Sequence, residues 1–343
     1  MNLKELSAQL GLSQTTVSRA LNGYPEVSEA TRKRVTEAAR AAKYTPSNRA
    51  RSLATGRSMA IGHVIPVSSK HEMVNPVFGD FIAGAGEVYS AAGYEMILRM
   101  VPDSDQEDVY REFSAKGNVD GIVVHGPRPE DPRIGLLQEL GLPFVVHGRS
   151  SSTKVDYSWL DVPNRRAFFD GTQHLIDLGH LRIGLINGAE ELDFAIRRRQ
   201  GFEDALNQAD LPVNPRWMRS SDMTEHYGYE AARELIAMEH APTGLIVASI
   251  ITALGVQRAI RECGLEMGRD ISVLIFDDEL SYLRNGSEDA AIFTAMRSSV
   301  RRAGSLLANM LLQKIAEPMA PVKTHMMEDI TFVKGPSTGP APE

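Results

Sequence analysis

The chain has 343 residues, 43% hydrophobic and 24% charged, with one cysteine and a formal net charge of −7. That balance suits a globular chain of two or three domains and excludes a disordered or fibrous one, and a lone cysteine excludes an intrachain disulfide or a Cys-rich zinc site. No apolar run approaches the ~20 residues of a bilayer crossing and the opening MNLKELSAQL has no signal-peptide core, so a cytoplasmic protein is expected.

The first 57 residues depart from the overall charge. Ten Lys and Arg against four Glu give them +6, and the remaining 27 bases and 40 acids give −13. A basic amino-terminal module on an acidic body suits a polyanion-binding head, because neutralised phosphates supply most non-specific affinity for DNA. A basic face that meets only water is the alternative.

Asn2 can cap a first helix whose third residue is Glu5, with Leu3, Leu6 and Leu10 as its apolar stripe and Gly11 as its end. Ser13 caps a second helix in which Val17, Ala20 and Leu21 share one side. Thr15, Ser18, Arg19 and Asn22 stand opposite, with Gln14 and Thr16 on the flanks, and Asn22-Gly23 ends it. Ser28 opens a third helix running to about Lys43, with Val35, Ala38, Ala39 and Ala42 facing inward. Three short helices with a three-residue turn between the first two make a helix-turn-helix unit. Its second helix can enter a major groove, where Gln and Arg meet base edges and Thr or Ser hydroxyls meet phosphates. Spacing alone leaves open a plain helical bundle with a solvated polar face. The following SNRARSLATG, residues 47–56, is too short and too charged to hold as an isolated helix.

From Met59 onward short apolar runs alternate with helix-length amphipathic segments. MAIGHVIP, YEMILRM, DGIVVHG, PFVVHGR, RIGLING, GLIVAS, ISVLIFD and DITFV read as strands. Such alternation predicts parallel sheets wrapped by helices, with ligands at the carboxyl ends of the strands, and about 275 residues suffice for two lobes. Gly84-Ala85-Gly86 falls inside a helix and reads as close packing. Cys263 reads as a semi-buried small hydrophobe, and the Gly/Pro-rich tail GPSTGPAPE, residues 335–343, as disordered. GxxxxGK[ST], GxSxG and HExxH are absent, His71-Glu72-Met73-Val74-Asn75 lacks a second histidine, and the nine histidines have no ligand spacing. No enzymatic activity, cofactor or metal is therefore expected.

LKELSAQLGLSQTTVSRALNG, followed by VSEATRKRV and YTPSNRARSLATGRS, resembles the head and hinge of the lac repressor (LacI/GalR) family of bacterial transcription regulators. The similarity spans essentially the whole chain. With FVVHGR added, it is most similar to the family's regulators of α-glucoside and related oligosaccharide uptake. The resemblance implies an α/β fold with a DNA-binding head at 1–45, a hinge at 46–58 that folds on operator DNA, and a periplasmic-binding-protein-like core at 59–334. Lobe one would hold about 59–159 and 291–319, and lobe two about 160–290 and 320–334.

The same resemblance places Gln14, Thr15 and Arg19 at base-reading positions and Thr16 and Ser18 at positions that support the helix or touch the backbone, with Ser13 and Asn22 completing the DNA set. Leu53 matches a minor-groove wedge, Ala50 a close-packing position, and Asn48, Arg49 and Arg51 positions near phosphates or groove edges. For the effector it implies Asn75 and Phe78 after the first core strand, Arg198 as the effector-binding arginine and Asp277 as the acceptor of effector hydroxyls. His147, Trp159, Met223 and Ser249 complete that set. An Arg and an Asp converging in a cleft suit the vicinal hydroxyls of a sugar. Two departures stand out: Ser249-Ile250 where many relatives carry Asn-Asp, and Ile275 where they carry Gly.

A single head buries only ~600 to 1,000 Å² on DNA, so a homodimer on a palindromic operator is expected. The tail lacks the leucine heptad of tetrameric relatives, which favours a dimer. The implied mechanism is a repressor released from DNA when a sugar closes the two lobes.

Overall fold

Asn2 forms a capping box with Glu5: each side chain accepts from the other's backbone N–H at 3.0 Å. This starts α1, Leu3–Leu10, and Gly11 in the left-handed region, φ 65°, ends it. Ser13 accepts from the Thr16 N–H at 3.1 Å ahead of α2, Gln14–Leu21, and Ser28 from the Thr31 N–H at 3.3 Å ahead of α3, Glu29–Ala41. Leu6, Val17, Ala20, Val27, Val35 and Ala39 make a small core of their own. The Arg34 guanidinium donates to the Leu10 carbonyl at 3.0 Å, tying α3 to the end of α1. The computed structural model describes residues 1–21, 23–44, 56–66, 75–287, 290–317 and 324–342. Asn22, Asn48, Arg49, Ala50, Arg51 and Leu53 lie outside the described residues.

Two six-stranded sheets form the rest of the chain. Lobe one contains β1 Ala60–Pro66, α4 Pro76–Ala91, β2 Glu95–Val101, α5 Gln106–Lys116, β3 Gly121–His125, α6 Pro132–Glu139, β4 Phe144–His147 and β5 Trp159–Asp161. Lobe two contains α7 Asn164–Asp177, β6 Ile183–Asn187, α8 Asp193–Gln208, β7 Met218–Ser220, α9 Glu225–Ile236, β8 Gly244–Val247, α10 Ile250–Glu262, β9 Ser272–Asp277 and β10 Thr294–Arg297. The chain then returns to lobe one for α11, Val300–Ala316, and β11, His325–Met327, and ends in lobe two with β12, Thr331–Val333. The strand orders are β11-β5-β4-β3-β1-β2 and β12-β10-β9-β8-β6-β7, parallel except where β12 runs against β10. Helices cover the sheets, so central strands such as GIVVH and SVLIFD are continuous buried runs rather than alternating ones.

Several helix pairs touch backbone to backbone. A methyl on Gly84 of α4 would lie 2.0 Å from the Arg301 carbonyl of α11, and one on Gly255 of α10 would lie 1.9 Å from the Glu225 carbonyl of α9. Of the Gly84-Ala85-Gly86 run, Gly84 makes the close contact, while a methyl on Gly86 would meet only the Met96 side chain at 3.7 Å.

All eight strands expected from the sequence form. The four additional ones among the described residues, β5 WLD, β7 MRS, β10 TAMR and β11 HMM, are short and lack the β-branched apolar run that marked the others. Their pairing corrects the lobe boundaries. Residues 294–297 belong to lobe two, because β10 pairs with β9, and 325–327 belong to lobe one, because β11 pairs with β5.

The tail is also corrected. Ser337 is fully buried, its carbonyl accepts from the Val273 N–H at 2.7 Å and its hydroxyl accepts from the Thr294 N–H at 2.8 Å. The Ala341 N–H donates to the Leu178 carbonyl at 2.9 Å. Gly and Pro here permit a close fit rather than disorder: a methyl on Gly339 would lie 2.2 Å from the Gly268 carbonyl. Cys263, expected half-buried, is exposed just past α10. No helix among the described residues is long and apolar enough to cross a membrane.

Candidate effector cleft and DNA-facing helix

β3, β4 and β5 end at His125, His147 and Asp161, and β9 ends at Phe276 and Asp277. His125, His147, Asp161, Phe276 and the next residue, Asp278, line an interlobe cavity of about 400 Å³. This is the position a parallel-sheet protein reserves for ligands.

The lobe-one wall is mainly aromatic and also carries Arg149. Asn75 caps α4 by accepting from the Val77 N–H at 3.1 Å, and Pro76 at the first helical position fixes the turn that sets Phe78 over the cavity. Phe78 meets the His125 ring edge-on at 5.3 Å, and Phe81 stacks on His147 at 4.4 Å. Behind them His63 Nδ1 lies 3.0 Å from His125 Nε2. Burial pushes the His63 imidazole down to about 3 and His147 to about 4. It also holds His125 well below the usual range, aided by His63, His147 and Arg133. All three rings are neutral at pH 7.

The lobe-two wall centres on Arg198 of α8, which is 5% exposed. Its Nε donates to Asn164 Oδ1 at 2.8 Å and its Nη1 to the Ala248 carbonyl at 2.7 Å. The guanidinium sits 4.2 Å from the Phe276 ring centre, with Phe194 and Phe168 at 4.9 and 5.1 Å. No carboxylate among the described residues forms an ion pair with it. Burial brings its pKa down to about 10, against the pull of Asp278 and Asp161, so it stays cationic at neutral pH, held by ring faces and neutral acceptors. Across from it, burial raises the Asp278 carboxyl to about 7; Arg198 opposes the rise and Asp277 adds to it.

The floor is built from the three segments that cross between lobes. Asp161 on the first accepts from Arg149 Nε at 2.7 Å and lies 3.3 Å from Arg197 Nη1. Ser298 on the second and Glu328 on the third line the cavity; the Ser298 hydroxyl and Glu328 Oε2 are buried and make no full hydrogen bond among the described residues, with Ser298 near enough to favour the ionised Glu328.

Of the effector positions named from the sequence, Asn75, Phe78, His147, Arg198 and Met223 line this cleft, and Trp159, Ser249 and Asp277 do not. The Asp277 carboxylate is spent on its own strand end: Oδ1 accepts from the Glu279 N–H at 2.9 Å and Oδ2 from Arg297 Nε at 2.8 Å. Its neighbour Asp278 holds the cleft position instead. Ser249 is fully buried and caps α10, accepting from the Ile251 N–H at 3.1 Å. Trp159 stacks on His325 at 4.9 Å, lies under Arg149 at 4.8 Å, and lines a separate hollow. The sequence reading missed Asp161, Asp278, Ser298 and Glu328. Asp278 was legible as the second member of a strand-ending acidic pair, whereas Glu328 had no local signal.

In the head, Ser13, Gln14, Thr15 and Arg19 are exposed on α2, while Val17 and Ala20 are buried on the other side. Thr16 and Ser18 are half-buried, and the Thr16 hydroxyl lies 2.8 Å from that of Ser13. The outer face of α2 is therefore free of the head's own core and carries donors and acceptors at one-turn spacing.

Residues 2–47 match the model for bacterial regulatory proteins of the lacI family, and residues 172–338 the periplasmic binding protein-like domain. The chain is 41% identical over 343 residues to the HTH-type transcriptional regulator AglR of Rhizobium meliloti (strain 1021), covering 100% of this chain and 96% of that one. Among solved structures, the lac repressor dimer bound to operator and the anti-inducer ONPF superposes with TM-score 0.81 at 23% identity, covering 99% of both chains. The CelR–cellobiose complex superposes with TM-score 0.72 at 24% identity, covering 98% of this chain and 99% of that one.

Proposed function

Because the chain belongs to the lacI family of bacterial regulatory proteins, we propose that it is a sequence-specific DNA-binding transcription regulator whose cleft takes a neutral sugar or oligosaccharide. Two copies bind a palindromic operator as a homodimer through Gln14, Thr15 and Arg19, with the hinge residues Asn48, Arg49, Ala50 and Leu53 completing the contact. Sugar binding closes the lobes and releases the operator. The complex of CelR with cellobiose supports the ligand class.

The observation that carries the ligand reading is Arg198. A cation clamped between the Phe276 face and two neutral acceptors, opposite the Asp278 carboxyl, offers a donor and an acceptor to adjacent hydroxyls. Phe78 and the neutral His125 and His147 offer apolar ring faces to the carbon skeleton. An anionic ligand would meet five carboxylates on this lining, Asp161, Asp222, Glu225, Asp278 and Glu328, against two arginines, Arg149 and Arg198.

Isothermal titration of the full chain with maltose, sucrose and trehalose, and with glucose 6-phosphate and adenine as controls, tests this. Heat is expected with at least one of the neutral sugars. Heat with only the phosphorylated sugar or the nucleobase would overturn the ligand class and leave the DNA-binding reading standing.

A further inference from the structure

Glu328 follows β11 on the third crossing segment, anchored by its N–H, which donates to the Asp161 carbonyl at 2.8 Å. Its side chain is only 3% exposed. Oε1 lies 3.9 Å from Nε of Arg302, a side chain 65% exposed, too far for a hydrogen bond. Glu328 and Ser298 both line the cleft; Oε2 and the Ser298 hydroxyl are buried and make no full hydrogen bond among the described residues, although Ser298 lies close enough to favour the ionised carboxylate. Asp329 and Glu279 repel it. Apart from the distant Arg302 and the weak pull of Ser298, nothing among the described residues engages this carboxylate. Leaving a buried acceptor unsatisfied is costly, and such a group persists where something else supplies the missing partner. Burial, more than any neighbour, raises the Glu328 carboxyl to about 7.

We propose that Glu328 and Ser298 form a second polar subsite of the effector cleft, which binds a hydroxyl of the sugar at the crossing segments and selects ligands able to donate there. It rests on the reading of the cleft as a sugar site. Arg198 and Asp278 hold one end of the ligand against lobe two. Glu328 and Ser298 hold the other against the two segments that swivel when the lobes move. A sugar with a hydroxyl in reach of both ends engages the hinge itself, and a smaller or deoxygenated one fills only the Arg198 end.

Two measurements on the full chain decide it. In titrations with maltose, sucrose and trehalose, Glu328→Leu should weaken the sugar that wild type binds by tenfold or more, roughly the worth of a hydrogen bond to a charged acceptor. Glu328→Gln, which still accepts a hydroxyl, should stay within about tenfold, and Ser298→Ala should weaken binding by a few-fold. In thermal unfolding without ligand at pH 8, Glu328→Gln should melt at the same temperature as wild type or higher. Equal affinity in wild type and Glu328→Leu would overturn the subsite while leaving the sugar reading intact. A lower melting temperature for ligand-free Glu328→Gln would overturn it too, by giving the carboxylate a structural role. Abolished binding in Glu328→Gln would point to a cationic ligand group and overturn the hydroxyl assignment. If wild type bound none of the sugars, the sugar reading would fall and this subsite with it.

Discussion

Replacing Asp278 with asparagine should stabilise the ligand-free protein at alkaline pH while weakening its hold on the effector. Burial raises the Asp278 carboxyl from 3.8 to about 7. An acid whose folded pKa lies above its unfolded value contributes stability that is full below pH 3.8 and is lost as pH rises to about 7. At about 1.4 kcal/mol for each tenfold change in proton affinity, the ceiling on this loss is about 4 kcal/mol. Asp278 keeps some access to water through the cleft, so half of that, about 2 kcal/mol, is the working figure; it corresponds to roughly 4–8 °C in a domain of 150–250 residues. Asparagine keeps the shape and removes the charge. Melting curves for wild type and Asp278→Asn from pH 4 to 9 should therefore diverge as pH rises, the variant melting higher, with the gap levelling off above about pH 7. The same variant should bind its sugar at least tenfold more weakly at pH 8, because a charge-assisted acceptor has become a neutral one. A variant that melts lower than wild type at pH 8, or a gap that does not change with pH, would rule out a destabilising buried charge at Asp278.

Arg19→Ala should cost about 1–3 kcal/mol of operator affinity and relax base preference at one position of each half-site, read by competition with single-base operator variants. Leu53→Ala should weaken specific binding in a mobility-shift assay while α1–α3 unfold at an unchanged temperature, since the wedge reading gives Leu53 no part in the head's core. Gly255→Ala puts a methyl 1.9 Å from the Glu225 carbonyl; α9 and α10 must part to admit it, and denaturant unfolding should show a loss of about 2 kcal/mol or more.

The fold was legible because the apolar runs are long enough to declare themselves. SVLIFD is buried along its whole length and GIVVH as far as Val124, and the three head helices carry Asn2, Ser13 and Ser28 at their starts, each of which caps as its chemistry dictates. What stayed hidden depends on pairing across long sequence separations. β10 and β11 are three or four residues long and take their lobe from a partner strand. The Gly/Pro tail takes its order from Ser272, Val273 and Thr294, more than 40 residues away. The site divides the same way. Arg198 and Phe78 were implied by the family resemblance of the segments IRRRQGF and NPVF, whereas choosing between Asp277 and Asp278 required knowing that Arg297 occupies the first of them. Glu328 reaches the cleft only because the third crossing segment lies beside the first, bonded to the Asp161 carbonyl.

In the proposed mechanism one chain reads DNA through α2 and answers to the cleft between its lobes. Selection of duplexes from a randomised pool by the intact chain, followed by fluorescence anisotropy on the enriched duplex with and without the sugar that binds by calorimetry, tests it most directly. The expected outcome is an inverted repeat of two half-sites, lost to Arg19→Ala, with affinity at least tenfold lower when the sugar is present. An unenriched pool, a single asymmetric site, or equal affinity with and without the sugar would contradict it.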